Sequence, residues 1–134
     1  FSLIFLFIPL AWLEAVVLML SVERLKSKKE ISFVFENGES VFSFPVKLFY
    51  LKNTNPVTAS VAFMVGKKNI RLAVERNLVK RRMRESFKLN CLNDRFFLGH
   101  SLVFVYLDKK VASFDQITKG FQGVLEKFNS FKKQ

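Results

Sequence analysis

Basic side chains dominate one short stretch of the sequence, residues 66–88. It holds nine Lys or Arg against two Glu, in a chain whose net charge is +11. Lys binds phosphate as a point charge, and Arg binds it through a planar fork of N–H donors. The stretch therefore points to a polyanionic partner, for which nucleic acid is the usual candidate. The phosphate-binding candidates are Lys67, Lys68, Arg71, Arg76, Lys80, Arg81 and Arg84.

Placed on a helix at about 100° per residue, this stretch separates into two faces. The apolar face consists of Leu72, Val79, Met83 and Phe87. Arg76 falls within that face, where a guanidinium needs a partner or must extend along its stem. The neighbouring arc carries Lys80, Arg84, Asn77, Lys88 and Arg81. Charges of one sign repel each other along this arc, so an anionic partner would stabilise the helix, and the Asn amide adds hydrogen-bonding groups.

The elements that must position this helix precede and follow it. Ser27 to Glu30 forms an S-x-x-E capping box that opens a helix, which ends at Gly38. Residues 41–52 are predicted as one strand, with Pro45 at an edge or bulge. A four-residue turn leads to a second strand, Val57–Val65, and we expect the two strands to form a hairpin.

Past the hairpin, Asn69 is the predicted N-cap of the basic helix. A third strand follows at 101–107, and Phe96-Phe97 is a candidate buried connector before it. Ser113 to Gln116 forms a second capping box, S-x-x-Q, opening a last helix with an apolar stripe. The predicted class is α+β, a small and mainly antiparallel sheet with helices on one face, in one RNA-binding domain over 21–134.

Residues 1–20 are almost entirely apolar. Three interpretations are open: a start placed too early, with the product beginning near Met19; a membrane anchor; or a helix packed on the domain. The basic residues that follow would keep the rest of the chain in the cytoplasm if the stretch were an anchor.

Protein-based catalysis is not indicated by the motifs present. The sequence has no G-x-S-x-G, no Gly-rich phosphate loop and no H-E-x-x-H. One Cys and one His, Cys91 and His100, give no Cys- or His-based metal cluster. No small-molecule substrate and no metal bound by the protein alone are expected.

The residues Lys67-Lys68, Ala73-Val74, Arg76-Asn77, Val79-Lys80-Arg81, Arg84-Glu85 and Phe87 also match a family pattern in identity and spacing. In them the chain resembles the protein subunit of bacterial ribonuclease P. A weaker match runs from Leu25 to Gly38, and the whole resemblance covers about 24–130.

This resemblance implies a ribosomal protein S5 domain 2-like fold, with a left-handed β-α-β crossover where the general rule gives a right-handed one. It implies a cytoplasmic protein without catalytic residues, bound to a catalytic RNA and to the 5′ leader of precursor tRNA. Mg²⁺ would be held mainly by the RNA. The basic helix, with Asn77, would contact the catalytic RNA. The leader would lie in a cleft lined by Ile31, Phe35 and Phe49, where Ile31 replaces the family's usual Phe.

Other functions stay open at this point. A structural RNA-binding protein of ribosomal type would carry the same basic helix without a catalytic partner. A small membrane-anchored protein could place the basic segment on acidic lipid. A DNA-binding role has less support, because no helix-turn-helix pattern is present.

Overall fold

The computed structural model describes residues 22–25, 27–54, 56–91 and 97–133. The apolar stretch 1–20 and Phe96 lie outside the described residues, so their predictions stay open. The described chain runs β-α-β-β-β-α-β-α. The elements are β1 (Val22–Arg24), α1 (Lys28–Asn37), β2 (Glu39–Ser43), β3 (Val46–Lys52), β4 (Ala59–Val65), α2 (Ala73–Cys91), β5 (His100–Tyr106) and α3 (Phe114–Lys133).

The strands form one mixed sheet in the order β1-β4-β5-β3-β2. The pairs β2–β3 and β3–β5 are antiparallel, whereas β1–β4 and β4–β5 are parallel. The α+β class is confirmed. The parallel half of the sheet arises because α2 carries the chain from the end of β4 back to the start of β5, as a crossover between parallel neighbours must.

The predicted hairpin between 41–52 and 57–65 is wrong, because β5 lies between β3 and β4. Phe49 of β3 stands opposite Val103 of β5, which stands opposite Ala62 of β4. Five of the seven β5 residues are buried. A strand with apolar residues on both faces buries the most apolar surface at the centre of a sheet. The free energy of that burial outweighs the advantage of pairing β3 directly with β4 through a short turn.

The predicted strand 41–52 is in fact a hairpin of two strands that turns at Phe44-Pro45, where the peptide bond is cis. Proline has no N–H for a strand ladder, so the chain turns there instead of continuing. The Pro45 carbonyl accepts a hydrogen bond from the Leu107 amide at 2.8 Å, which holds the turn against the end of β5. The first arm, β2, becomes the sheet edge.

Helices cover both faces of the sheet, which corrects the expectation of one covered face. The larger core joins α2 and α3 to the side chains of Leu48, Val61 and Phe104. The opposite face carries a smaller cluster in which Val34 of α1 packs with Val103 and other sheet residues. The period-2 alternation of strands sends neighbouring residues to the two clusters.

The helix ends follow their sequence patterns in part. In the second capping box, Ser113 Oγ accepts from the Gln116 amide at 3.3 Å and Gln116 Oε1 accepts from the Ser113 amide at 3.2 Å. Ser27 occupies the N-cap of α1 but makes no side-chain capping bond. Gly38 follows α1 in an extended conformation, and its amide donates to the Val34 carbonyl oxygen. Glycine is required there because a Cβ would lie 2.5 Å from the Val34 carbonyl oxygen and 2.6 Å from that of Tyr50.

Candidate nucleic-acid interface

The basic helix α2 is held by one buried face. Val79, Met83 and Phe87 are buried against the larger core, as the periodicity predicts. Ser86 is also buried, and its Oγ lies 3.1 Å from Thr118 Oγ1 of α3. These contacts fix the rotation of the helix, so the charged arc is directed away from the core.

The start of α2 differs from its prediction. The helix begins at Ala73, and Asn69 lies in a turn before it, so Asn69 is not the N-cap. Its Nδ2 instead donates to the Tyr106 carbonyl oxygen at 3.3 Å. Leu72 precedes the helix and is 62% exposed, so it does not belong to the apolar face. The Asn69 side chain therefore links the turn to β5 instead of lying at the helix end.

A cleft of about 920 Å³ opens beside the charged arc of α2. Asn77, Lys80 and Arg84 line one wall, and Lys88 continues the same line along the helix. Their spacing of three or four residues places them above one another on one side of the helix. The structure therefore brings together three of the predicted RNA-binding residues.

The remaining walls of the cleft come from β1, α1 and β4. Ile31 of α1 lines the cleft, together with Ala62 and Met64 of β4. These side chains give an apolar surface opposite a polar and cationic wall. A groove of this composition offers apolar contact to bases and charge to phosphates, which is the pattern of single-stranded nucleic-acid sites.

Two cleft residues were missed in the sequence. Arg24 of β1 and Lys28 of α1 both line the cleft, where Glu23 is the acidic lining residue. β1 has only three residues and pairs in parallel with β4, so no local pattern predicts it. The sequence does show these basic residues, but only the tertiary pairing brings them opposite α2.

The other predicted phosphate ligands lie outside the cleft lining. Arg81 is exposed on α2. Lys67 and Lys68 are exposed in the turn after β4, and Arg71 is exposed just before α2. Lys67, Lys68 and Arg71 form a separate exposed basic surface around the start of α2, and Arg81 lies about two turns further along the helix.

Arg76, which was predicted within the apolar face, is hydrogen-bonded to two backbone carbonyl oxygens. Its Nη1 donates to the carbonyl oxygen of Ile70 at 3.0 Å and to that of Arg71 at 2.6 Å. The side chain is half-buried and lies outside the cleft lining. Its guanidinium is thus bound to the connection that leads into α2.

The three predicted leader-binding residues lie on one face of the sheet. Ile31 and Phe49 both pack against the smaller cluster. Phe35 meets Phe49 edge to face, with centroids 4.7 Å apart, and is itself 37% exposed. Ile31 lines the cleft, while Phe35 and Phe49 lie beyond its lining residues.

A row of aligned residues, apolar apart from Lys47, continues across this face. Met64 stands opposite Val105, Val105 opposite Lys47, and Lys47 opposite Phe42. Met64 belongs to the cleft, and Phe42 at the sheet edge is 45% exposed. Phe42 was not singled out in the sequence, because the strand register that aligns it with the cleft depends on β5.

Comparison with known proteins assigns the family. A model of the ribonuclease P family, described as "Ribonuclease P", matches residues 19–129. The chain belongs to the ribonuclease P protein family. The match begins at Met19 and includes every residue of the cleft and of the basic surface at the start of α2.

The relatives compared share 32–40% of the aligned residues. The ribonuclease P protein component of Caldanaerobacter subterraneus subsp. tengcongensis is 33% identical over 108 residues, covering 78% of this chain and 87% of that protein. The component of Porphyromonas gingivalis is 40% identical over 76 residues, covering 54% of this chain and 56% of that protein.

Solved structures show the same fold. The ribonuclease P protein of Thermotoga maritima gives a TM-score of 0.64 at 21% identity, covering 78% of this chain and 96% of that one. The protein of Staphylococcus aureus gives 0.62 at 23% identity, covering 77% and 92%. At these identities the structures support the fold and not the role of any one side chain.

The described residues were also compared with the requirements for a metal site and for a membrane-spanning helix. Within the residues that the structure describes, no three His, Cys, Asp or Glu side chains come close enough together to hold a metal ion. Among the same residues, no helix has the length and hydropathy needed to cross a bilayer.

Proposed function

We propose that this chain is the protein subunit of ribonuclease P, a cytoplasmic ribonucleoprotein that removes the 5′ leader from precursor tRNA. The family assignment supports a place for this chain in the ribonuclease P ribonucleoprotein. The observation that carries the leader-binding role is the cleft, where Asn77, Lys80 and Arg84 face the apolar surface of Ile31 and Met64.

The cleft suits a single strand because its lining offers both charge for phosphates and apolar surface for bases. Lys80 and Arg84 supply charge to the phosphates. Ile31 and, beyond the lining, the Phe35–Phe49 pair supply surface for bases. Contacts with a base face do not depend on its identity, so leaders of different sequence would bind.

The exposed basic surface around the start of α2 is proposed to meet the catalytic RNA. Lys67, Lys68 and Arg71 are exposed there, and Arg81, exposed further along α2, would extend the contact. Neutralising a folded RNA with such side chains releases counterions, so binding should weaken steeply with salt. The cleft beside α2 and the basic surface before it would then hold the precursor and the catalyst together.

The proposed contribution of the chain to catalysis is positioning. The described residues bring together no three His, Cys, Asp or Glu side chains that could hold a metal ion. We propose that the catalytic RNA holds Mg²⁺ and carries the reaction. The protein would place the leader, lowering the entropy cost of bringing the scissile bond to the RNA.

The selectivity of binding tests this proposal. Complexes of the full chain with the catalytic RNA should bind precursor tRNA more tightly than mature tRNA, and Lys80→Ala/Arg84→Ala should lose most of this preference. A charge-matched control is Lys29→Ala/Lys52→Ala, since both lysines are exposed and lie outside the cleft lining. Equal binding of precursor and mature tRNA by the wild-type complex would favour a structural RNA-binding protein of ribosomal type.

A further inference from the structure

We propose that Arg76 is a positioning residue: its guanidinium fixes the connection 66–72, and that connection presents the basic side chains of Lys67, Lys68 and Arg71. The sequence pattern placed Arg76 among the phosphate ligands instead. The inference rests on the proposed function, because it assigns a role within the same RNA-binding surface.

Both hydrogens of Arg76 Nη1 are used in hydrogen bonds to the backbone. Nη1 carries two hydrogens, and it donates to the carbonyl oxygens of Ile70 and Arg71 at 3.0 Å and 2.6 Å. Hydrogen bonds from a charged donor are stronger than neutral ones. Turning this guanidinium toward a phosphate would break both bonds and leave two carbonyl oxygens to be satisfied elsewhere.

Other contacts hold the connection at Asn69, Ile70 and Leu72, and the Leu72 carbonyl oxygen accepts from the Arg76 amide at 3.0 Å. The amides of Asn69 and Ile70 donate to the Gly66 carbonyl oxygen at 3.2 Å and 3.1 Å. The Ile70 side chain is buried in the larger core. Asn69 Nδ2 ties the turn to β5 through the Tyr106 carbonyl. Arg76 adds the side-chain bond from α2, and it acts on the residues just before the helix.

The position of the connection matters because its basic side chains are exposed. Lys67, Lys68 and Arg71 extend from backbone that Arg76 and its neighbours hold in one conformation. A backbone that is already ordered loses less entropy when its side chains bind RNA. Arg76 would therefore raise affinity without touching the RNA.

A double-mutant cycle on affinity for the catalytic RNA separates positioning from direct contact. Arg76→Ala should weaken binding about tenfold in the wild-type background. In the background Lys67→Ala/Lys68→Ala/Arg71→Ala it should cost almost nothing more, because the side chains it positions are gone. A full tenfold loss in both backgrounds would overturn the proposal. Arg81→Ala is the control: Arg81 is exposed on α2 outside the connection 66–72, so its loss should cost the same affinity in both backgrounds.

Two further measurements test the proposal: the RNA affinity of Arg76→Lys and amide hydrogen exchange in the connection. Lysine keeps the charge but lacks the fork that reaches both carbonyls, so Arg76→Lys should bind as weakly as Arg76→Ala. Recovery of wild-type affinity by Arg76→Lys would overturn the proposal. In the free protein, amide exchange at residues 69–72 should rise in both variants, and unchanged exchange would also overturn it.

Failure of the proposed function would look different. If the wild-type chain does not bind the catalytic RNA, the RNA-presenting role of Arg76 falls with the proposed function. Faster amide exchange in Arg76→Ala would then show that Arg76 does order the connection. The error would lie in assigning the basic side chains of the connection to RNA binding.

Discussion

The rings of Phe35 and Phe49 meet edge to face, with centroids 4.7 Å apart and planes at 79°. Phe35 comes from α1 and Phe49 from β3, so the contact joins the helix to the sheet face that carries the cleft. The Nζ of Lys47 lies 5.0 Å from the centre of the Phe49 ring. An aromatic pair beside a cation offers both a surface for bases and charge for phosphate.

Phe35→Ala should reduce the preference for precursor over mature tRNA by about tenfold, within the range of one base–aromatic contact. The matched control is Phe33→Ala: Phe33 lies on the same helix, is 56% exposed, and lines a separate depression with Lys29 and Glu36. Equilibrium binding of the two tRNAs to the assembled complex measures the effect. Equal losses in the two variants would contradict a role for the Phe35–Phe49 pair.

Arg84→Ala should flatten the salt dependence of precursor binding. Each phosphate contact on a single strand contributes about 0.7 log unit of affinity per log unit of salt. Removing the Arg84 contact in the cleft should lower the slope by about that amount, as measured by titrations over a range of KCl concentrations. Lys52→Ala is the control, because Lys52 is exposed and lies outside the cleft lining. A slope that changes equally in both variants would place the phosphate contact elsewhere.

Gly38→Ala should destabilise the protein by roughly 1–3 kcal/mol, as overpacking does. The new Cβ would lie 2.5 Å from the Val34 carbonyl oxygen and 2.6 Å from the Tyr50 carbonyl oxygen, and both atoms belong to backbone. Gly66→Ala is the control, since no atom lies within 4 Å of its Cβ position. Urea denaturation compares the two. A Gly38→Ala protein as stable as Gly66→Ala would refute the close approach of α1 and β3.

Tyr50 should make stability fall at alkaline pH. Burial, a hydrogen bond to Glu39 and the charge of that carboxylate raise the pKa of Tyr50 from 10.0 to about 12. Because the unfolded chain releases the proton first, the stabilisation is complete below pH 10 and is lost as the pH rises toward 12.

Tyr50→Phe removes this titrating group and also the 2.9 Å hydrogen bond from Tyr50 Oη to Glu39 Oε2. The informative quantity is therefore the slope of unfolding free energy against pH, measured by urea denaturation across the alkaline range. The slope should be less steep in the variant. Burial also raises the pKa of Tyr106, which both proteins share, so its contribution cancels in the comparison. Parallel slopes would argue against the raised pKa.

Local patterns were sufficient for the buried face of α2 and for the second capping box. The apolar repeat of α2 predicted the burial of Val79, Met83 and Phe87, and the S-x-x-Q pattern predicted both bonds of the capping box at Ser113. Each of these features depends on residues within one or two helical turns. The physical cause lies within the segment itself, so the sequence alone shows it.

Strand pairing was not predictable in the same way. The position of β5 between β3 and β4 depends on burying both faces of one strand, which involves residues some forty positions apart in sequence. The same pairing, with β1 beside β4, brings Arg24 and Lys28 to the cleft and aligns Phe42 with Met64. The role of Arg76 depends on carbonyl groups of the connection, whose positions no residue pattern indicates.

The most direct test of the proposed function is cleavage of precursor tRNA at low Mg²⁺ by the matching catalytic RNA, with and without this chain. Wild-type protein should accelerate cleavage over RNA alone, and Lys80→Ala/Arg84→Ala should lose much of that gain while Lys29→Ala/Lys52→Ala keeps it. Cleavage no faster with the wild-type protein than with RNA alone would contradict the assignment as a ribonuclease P subunit.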